Sequence, residues 1–489
     1  MHEPGPSIFA LGGDASAAPS DTEPSYLGAL AAGADGLAIN LRPGVDGKLW
    51  CAPFAPDGSP PIDAAQVDAG AEFRSRAATG EVGQPWKGDE GSRHCLRFLG
   101  LDAVLRLFGR RAPLLLRLSD QADAGLAAEL VASVERFGLF GSALIELPLS
   151  ALKARPELAS KVRCVARITE SQAATLDRAG LCGAYAAAWY FREGAEREVM
   201  NAAERMGVPL WLLQGPGASL PPGLLARLRD TPVVALATTA VLSTVAQLRP
   251  RSVVFDDPLT TGALDRSCWA GGYSHPNSET TLRPSNDGLH VAISVGREYS
   301  GGGLVTRFAT QGAFDAEVAF LVTQPQQATT FELAAIAIDP GHTEIDPQRL
   351  TGRNVNLTFD VHGAPPYASS ERDEDNGFRF GWNNASNLTQ ILADWSHASA
   401  NMYNKYGRDV GVTRGSRPSR GYLRLVRTGT VFASYYKDET AADWVCSGAG
   451  LVSSLPADAF LRIAAKHWRK GGEPPANEIV FSNFVLRQP

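Results

Sequence analysis

Residues 10–22, Ala-Leu-Gly-Gly-Asp-Ala-Ser-Ala-Ala-Pro-Ser-Asp-Thr, and residues 33–41, Gly-Ala-Asp-Gly-Leu-Ala-Ile-Asn-Leu, decide how the first half of this chain reads. Each carries one of the short apolar runs that alternate with helical stretches from residue 8 to about 258. The predicted strands are Ile8–Leu11, Gly36–Leu41, Leu49–Cys51, Pro113–Leu118, Ala143–Leu147, Val162–Arg167, Val208–Leu213, Val233–Leu236 and Val253–Phe255. Between them lie segments such as Gln121–Phe137, where Leu126, Leu130, Val131 and Val134 recur at helical spacing. Repeated strand–helix units imply a parallel sheet with helices outside it, and their number suits a closed barrel. The stretch 52–95, rich in Gly, Pro, Ala and Asp, reads as a long loop on the barrel rim.

A chain of 489 residues is too long for one compact core and fits two domains. Its 44% hydrophobic and 20% charged residues are ordinary for a globular protein. The net charge of −6 gives no general attraction to nucleic acid or anionic membrane. No apolar run is long enough to span a bilayer, and Met-His-Glu-Pro-Gly-Pro lacks the features of a secretory signal, so a cytoplasmic chain is expected. The six cysteines form no Cys-x-x-Cys pair and read as buried free thiols.

Leu259 to about Asp287 is rich in Gly, Ser, Pro and Thr and reads as a linker, 259–287. Beyond it the period changes to alternation, through His290–Val295, Val305–Thr310, Asp315–Val322, Thr330–Ile338, Asn354–Val361 and Phe378–Trp382. A hairpin over Tyr422–Tyr436 turns near Thr428-Gly429-Thr430, and Phe460–Ala465 and Glu478–Leu486 supply closing strands. Many short strands with almost no helix predict a β-sandwich over 288–489.

Residues 251–258, Arg-Ser-Val-Val-Phe-Asp-Asp-Pro, complete a set with the two opening stretches. Their order and spacing resemble the glycerophosphodiester phosphodiesterases, a family built on a TIM-like barrel. That family opens on His-Arg-Gly and Pro-Glu-Asn-Thr, continues through Gly-Ala-Asp-x-Ile-Glu-x-Asp-Val and a His-Asp, and closes on Asp-Asp-Pro. The second half resembles concanavalin A-like jelly-roll domains through Gly421–Tyr436 and the closing Asn-Glu-Ile-Val-Phe-Ser-Asn-Phe-Val-Leu. The predicted fold class is therefore multi-domain: an α/β TIM-like barrel over 1–258, then an all-β jelly-roll sandwich.

The resemblance implies two catalytic histidines and a divalent cation held by three carboxylates. The histidine slot falls on Leu11 and its arginine on Gly12, while the Glu of Pro-Glu-Asn-Thr falls on Ser20. The strand-two carboxylates fall on Ala38 and Asn40, the His-Asp on Pro53 and Phe54, and the third metal carboxylate on Arg117. A hard cation needs several oxygen ligands with carboxylate charge, and general acid–base catalysis most often needs a histidine or a tuned carboxylate. Only His2 and His94 precede residue 260. No catalytic residue, metal or cofactor is therefore expected.

Asp14, Arg42, Arg117, Glu146, Arg167, Gln214, Asp256 and Asp257 fall near predicted strand ends. Arg117 with Arg42 or Arg167 either holds an anionic group in place of the cation or pairs with Glu146, Asp256 or Asp257. In the sandwich, Trp395, Tyr403, Tyr406 and Trp444 read as either sugar platforms or core aromatics. The expected protein is non-catalytic, with a carbohydrate, an anionic small molecule or a protein complex partner as ligand. The alternative is an active hydrolase, either a diverged phosphodiesterase or a carbohydrate-active barrel using new carboxylates.

Overall fold

The computed structural model describes residues 6–15, 19–54, 61, 98–120, 124–191, 201–202, 204–214, 233–273, 280–294, 299–324, 329–336, 378–380, 420–440, 444–451, 458–468 and 476–489. Two compact units emerge, one holding residues 1–69 and 96–250, the other 70–95 and 251–489. Among the described residues, no helix is long and apolar enough to cross a membrane.

In the first unit the strands are β1 (Ser7–Leu11), β2 (Gly36–Pro43), β3 (Leu49–Cys51), β4 (Leu114–Leu118), β5 (Ala143–Pro148), β6 (Cys164–Ile168), β7 (Ala186–Phe191), β8 (Leu210–Gln214) and β9 (Val233–Thr238). All but β3 run parallel, and β1 pairs with both β2 and β9, which closes an eight-stranded barrel. The short β3 folds back antiparallel on the end of β2. Leu114–Leu118 and Leu210–Gln214 are buried along their whole length, because helices cover the outside while side chains fill the inside. The helix Ala124–Arg136 falls within the predicted helical stretch.

Alternate residues form the barrel core: Phe9 and Leu11, Ala38, Leu115, Leu144, Val165, Ala186 and Ala188, Trp211 and Leu213, and Ala235 and Ala237. The Trp211 ring is accommodated because its register neighbours on both sides are alanines, Ala188 and Ala235. Phe9 meets it edge-on, with ring centroids 4.6 Å apart. Cys51 and Cys164 are free and buried, and burial pushes the Cys164 thiol up to about 12.

Two expectations change here. Ala186–Phe191, unpredicted, supplies the sixth of the eight barrel staves, and the barrel closes on Val233–Thr238. The strand expected to end the barrel, Ser252–Asp257, pairs antiparallel with Asn477–Gln488. Residues 259–287, read as a linker, contain the strands Trp269–Tyr273 and Thr280–Ser285. The physical reason is Trp269. Its buried ring packs 5.0 Å from Phe484 and 5.8 Å from Phe255, and its indole N–H donates to Asp257 at 2.7 Å.

The second unit holds two antiparallel sheets. The larger runs in the order Thr280–Ser285, Gly288–Ile293, Asn477–Gln488, Phe314–Gln324, Arg420–Thr428, Val431–Asp438 and Val445–Leu451, with Ser252–Asp257 also on Asn477–Gln488. The smaller runs Trp269–Tyr273, Tyr299–Thr306, Asp458–Trp468, Thr329–Ile336 and Phe378–Phe380. Phe320 of the larger sheet meets Phe331 of the smaller at 4.6 Å, so the two apolar faces make one core. The predicted hairpin turns where expected, at Gly429 with φ of +60°. The predicted strand Asn354–Val361 lies outside the described residues.

Candidate functional site

Each barrel strand carries its side chains alternately in and out, so the residue two positions beyond a core residue also points inward. Counting on from Ala38, Leu115, Leu144, Val165 and Ala188 gives Asn40, Arg117, Glu146, Arg167 and Tyr190. These five form a polar layer above the apolar core, at the strand ends where barrels of this kind place their sites. Asn40, Arg117 and Glu146 are direct register neighbours across β2, β4 and β5.

The layer is joined by hydrogen bonds. Arg117 Nε donates to Glu146 Oε2 at 2.7 Å and Nη2 to Oε1 at 3.2 Å, a two-pronged guanidinium–carboxylate pair. Nη1 donates to Asn40 Oδ1 and Nη2 to the Tyr190 hydroxyl, both at 2.7 Å. Four of the five Arg117 N–H donors are thereby used inside the protein. Arg167 donates to Glu146 at 2.9 Å and to the Leu118 carbonyl and Asp120 at 2.8 Å. Phe54 lies over both guanidiniums, 5.1 Å from that of Arg117 and 5.2 Å from that of Arg167.

Burial sets the electrostatics. Arg117 is 1% exposed and Glu146 0%. Burial alone would raise the Glu146 carboxyl, but the two guanidiniums override it and hold Glu146 below the usual carboxylate range. Burial also works against the Arg117 charge, and the Glu146 carboxylate outweighs it.

The network continues into the turn after β1. Asn40 Nδ2 donates to Asp21 Oδ2 at 3.0 Å, and the Tyr26 hydroxyl donates to Asp21 Oδ1 at 2.8 Å. Ser20 donates to Asp21 as well, at 2.9 Å. Asp21 is fully buried with φ of +59°, and burial raises its carboxyl despite these donors. Gly12, at φ of +68°, accepts the Asp21 amide; a Cβ there would sit 2.2 Å from Ser20 Oγ. Glu23 opens the helix Glu23–Ala32, and burial pushes its carboxyl up to about 7.

The structure separates the predicted site residues. Leu11 and Ala38 are core, Gly12 and Ser20 shape the first turn, and Asn40, Phe54, Arg117 and Arg167 meet in the polar layer. Of the two readings for the arginines, pairing with Glu146 is what the geometry shows. Arg42 stands apart from them, donating to the Pro53 carbonyl at 3.4 Å. Asp256 and Asp257 belong to the second unit, on a strand that pairs with the C-terminal one. Gln214 remains at the end of β8, where it accepts from the Thr239 amide at 3.0 Å. Asp21, Tyr26, Asp120 and Tyr190 were not singled out; stepping two residues past each buried strand position would have found Tyr190.

In the sandwich, Trp444 is partly buried. Lys437 Nζ lies 5.0 Å and the Arg424 guanidinium 5.3 Å from its ring centroid, with Tyr422 at 6.4 Å. Trp395, Tyr403 and Tyr406 lie outside the described residues.

The cation implied by the family resemblance does not fit these residues. Ala38 has no side-chain oxygen to offer and its carbonyl already accepts from the Gly12 amide, Asn40 already bonds Asp21 and Arg117, and Arg117 brings a positive charge to the third ligand position. Among the described residues, no group of three or more His, Cys, Asp or Glu is arranged to hold a metal.

No family model matches the chain, and no curated protein does. Solved structures similar to it include a glycerophosphodiester phosphodiesterase from Agrobacterium tumefaciens, 17% identical, covering 49% of this chain and 99% of that one at a TM-score of 0.37. A putative glycerophosphoryl diester phosphodiesterase from Silicibacter pomeroyi is 16% identical over 50% and 94% of the two chains, with a TM-score of 0.39. A structure from work on endo-acting O-glycanases of the human gut microbiota is 11% identical over 48% and 99%, with a TM-score of 0.28. The barrel itself rests on its own strand pairing.

Proposed function

We propose that the barrel is a non-catalytic module within a binding or assembly protein. The observation that carries this reading is the Arg117 side chain, which bonds Asn40, Glu146 and Tyr190 where the family resemblance would require a metal carboxylate. A guanidinium locked between protein partners acts as a cross-link, and moving it to a substrate would cost Glu146 its two-pronged partner and leave it only Arg167. The jelly-roll form of the sandwich, and a carbohydrate or protein as its ligand, belong to the same proposal.

Glycerophosphocholine and a chromogenic phosphodiester, each with Ca²⁺, Mg²⁺ or Mn²⁺, test the proposal. The expected outcome is no turnover above the uncatalysed rate. Metal-dependent turnover that disappears in Arg117→Ala or Asp21→Asn would overturn it. It would restore the hydrolase reading.

A further inference from the structure

The opposite face of the barrel carries an open depression of about 670 Å³ at the starts of β4, β5 and β6. Pro113, Ser142 and Arg163, each one residue ahead of its strand, stand in its wall. Arg110 and Arg111 join Arg163 there, and no carboxylate does. Among the described residues, neither Arg110 nor Arg111 pairs with an acid. Arg163 donates only to the Gly141 carbonyl, at 2.6 Å. In a chain of net charge −6, three arginines among the lining of one concavity, with no acidic residue in that lining, are a local reversal of sign.

The rim suits a ligand that reaches the backbone. A Cβ added at Gly138 or Gly141 would meet nothing within 4 Å, so the wall there is open. Ser142 closes the floor by donating to the Gly109 carbonyl at 3.0 Å. Two exposed rings neighbour the lining residues, one in space and one in sequence. Tyr185, 48% exposed, lies 5.7 Å from the Arg163 guanidinium, and Phe140, 41% exposed, stands between two lining residues. Guanidinium forks match phosphate oxygens, and exposed rings offer stacking to a planar group.

We propose that this depression binds a small phosphorylated anion with a planar ring, of the nucleoside diphosphate class. The volume falls in the range of small-molecule sites. The competing account is that Arg110 and Arg111 only complement the C-terminal end of the helix Leu101–Phe108. That account predicts a change in stability and no ligand.

Isothermal titration of the full chain with ADP, and separately with pyrophosphate, decides between them. Saturable ADP binding is expected, weakened about tenfold or more in Arg110→Gln/Arg111→Gln and by raising ionic strength from about 0.05 to 0.5 M. Pyrophosphate should bind more weakly than ADP, and Tyr185→Ala should remove that difference. Thermal unfolding of each variant shows whether it is folded, and Arg110→Gln alone serves if the double variant is not. Absence of saturable binding, or ADP binding unchanged in the arginine variants, overturns the proposal. Equal binding of ADP and pyrophosphate overturns the part assigned to the ring.

Discussion

Glu146 holds the charge balance of the barrel mouth, since Arg117 and Arg167 both close on it in a site without solvent. Glu146→Gln leaves two buried guanidiniums short of their shared counter-ion and should cost about 3–5 kcal/mol, read by urea denaturation. Because its folded carboxyl lies below the ordinary value of 4.5, its stabilisation is present above that value and is lost as pH falls through the folded one. The variant should therefore flatten the acid limb of the stability profile. Glu23 has the opposite sign. Its carboxyl is raised from 4.5 to about 7, so its contribution is complete below 4.5 and is lost as pH rises through 7. Glu23→Gln should raise stability at pH 8 by about 1–2 kcal/mol, part of the gain being offset by the helix N-terminus, and leave it unchanged at pH 4. Denaturation curves at the two pH values check this.

At the scale of elements, β7 teaches most. Ala186-Ala187-Ala188 has weak strand preference, yet it forms a barrel stave buried on both faces. The demand for alanine comes from the next stave, whose Trp211 ring lies beside Ala188 in register. Ala188→Leu should overpack the barrel and cost about 1–3 kcal/mol, seen as a lower urea midpoint with the slope unchanged. The hairpin Arg420–Asp438 was legible for the opposite reason: alternation and a Gly turn specify it locally. The polar layer was half legible. Arg117, Arg167 and Glu146 stood out as charges at strand ends, whereas the Phe54 stack and the Asp21 bonds join residues far apart in sequence.

For the whole molecule, the unit boundary falls at residue 250, with barrel closure completed by β9. A fragment of residues 251–489 should therefore unfold cooperatively. One starting at 288 loses Ser252–Asp257, Trp269–Tyr273 and Thr280–Ser285, together with the Trp269 contacts to Phe255 and Phe484. Removing a buried tryptophan alone costs about 3–5 kcal/mol, so the shorter fragment should be unfolded or markedly less stable by circular dichroism and urea titration. Residues 1–250 should keep a cooperative transition of their own.

Local pattern was enough to determine the coarse class of each half: strand–helix alternation up to about residue 258 and two-residue alternation from 288. It also showed that only His2 and His94 precede residue 260, since residue identity is a property of the sequence alone. Only the tertiary structure decided where Val253–Phe255 belongs, because a strand is indifferent to which sheet takes it until a partner and a buried Trp269 are supplied. It alone decided that Arg117 and Arg167 are spent on Glu146. Whether a guanidinium is free or paired depends on the register of strands 29 and 21 residues away, which closure of the barrel sets.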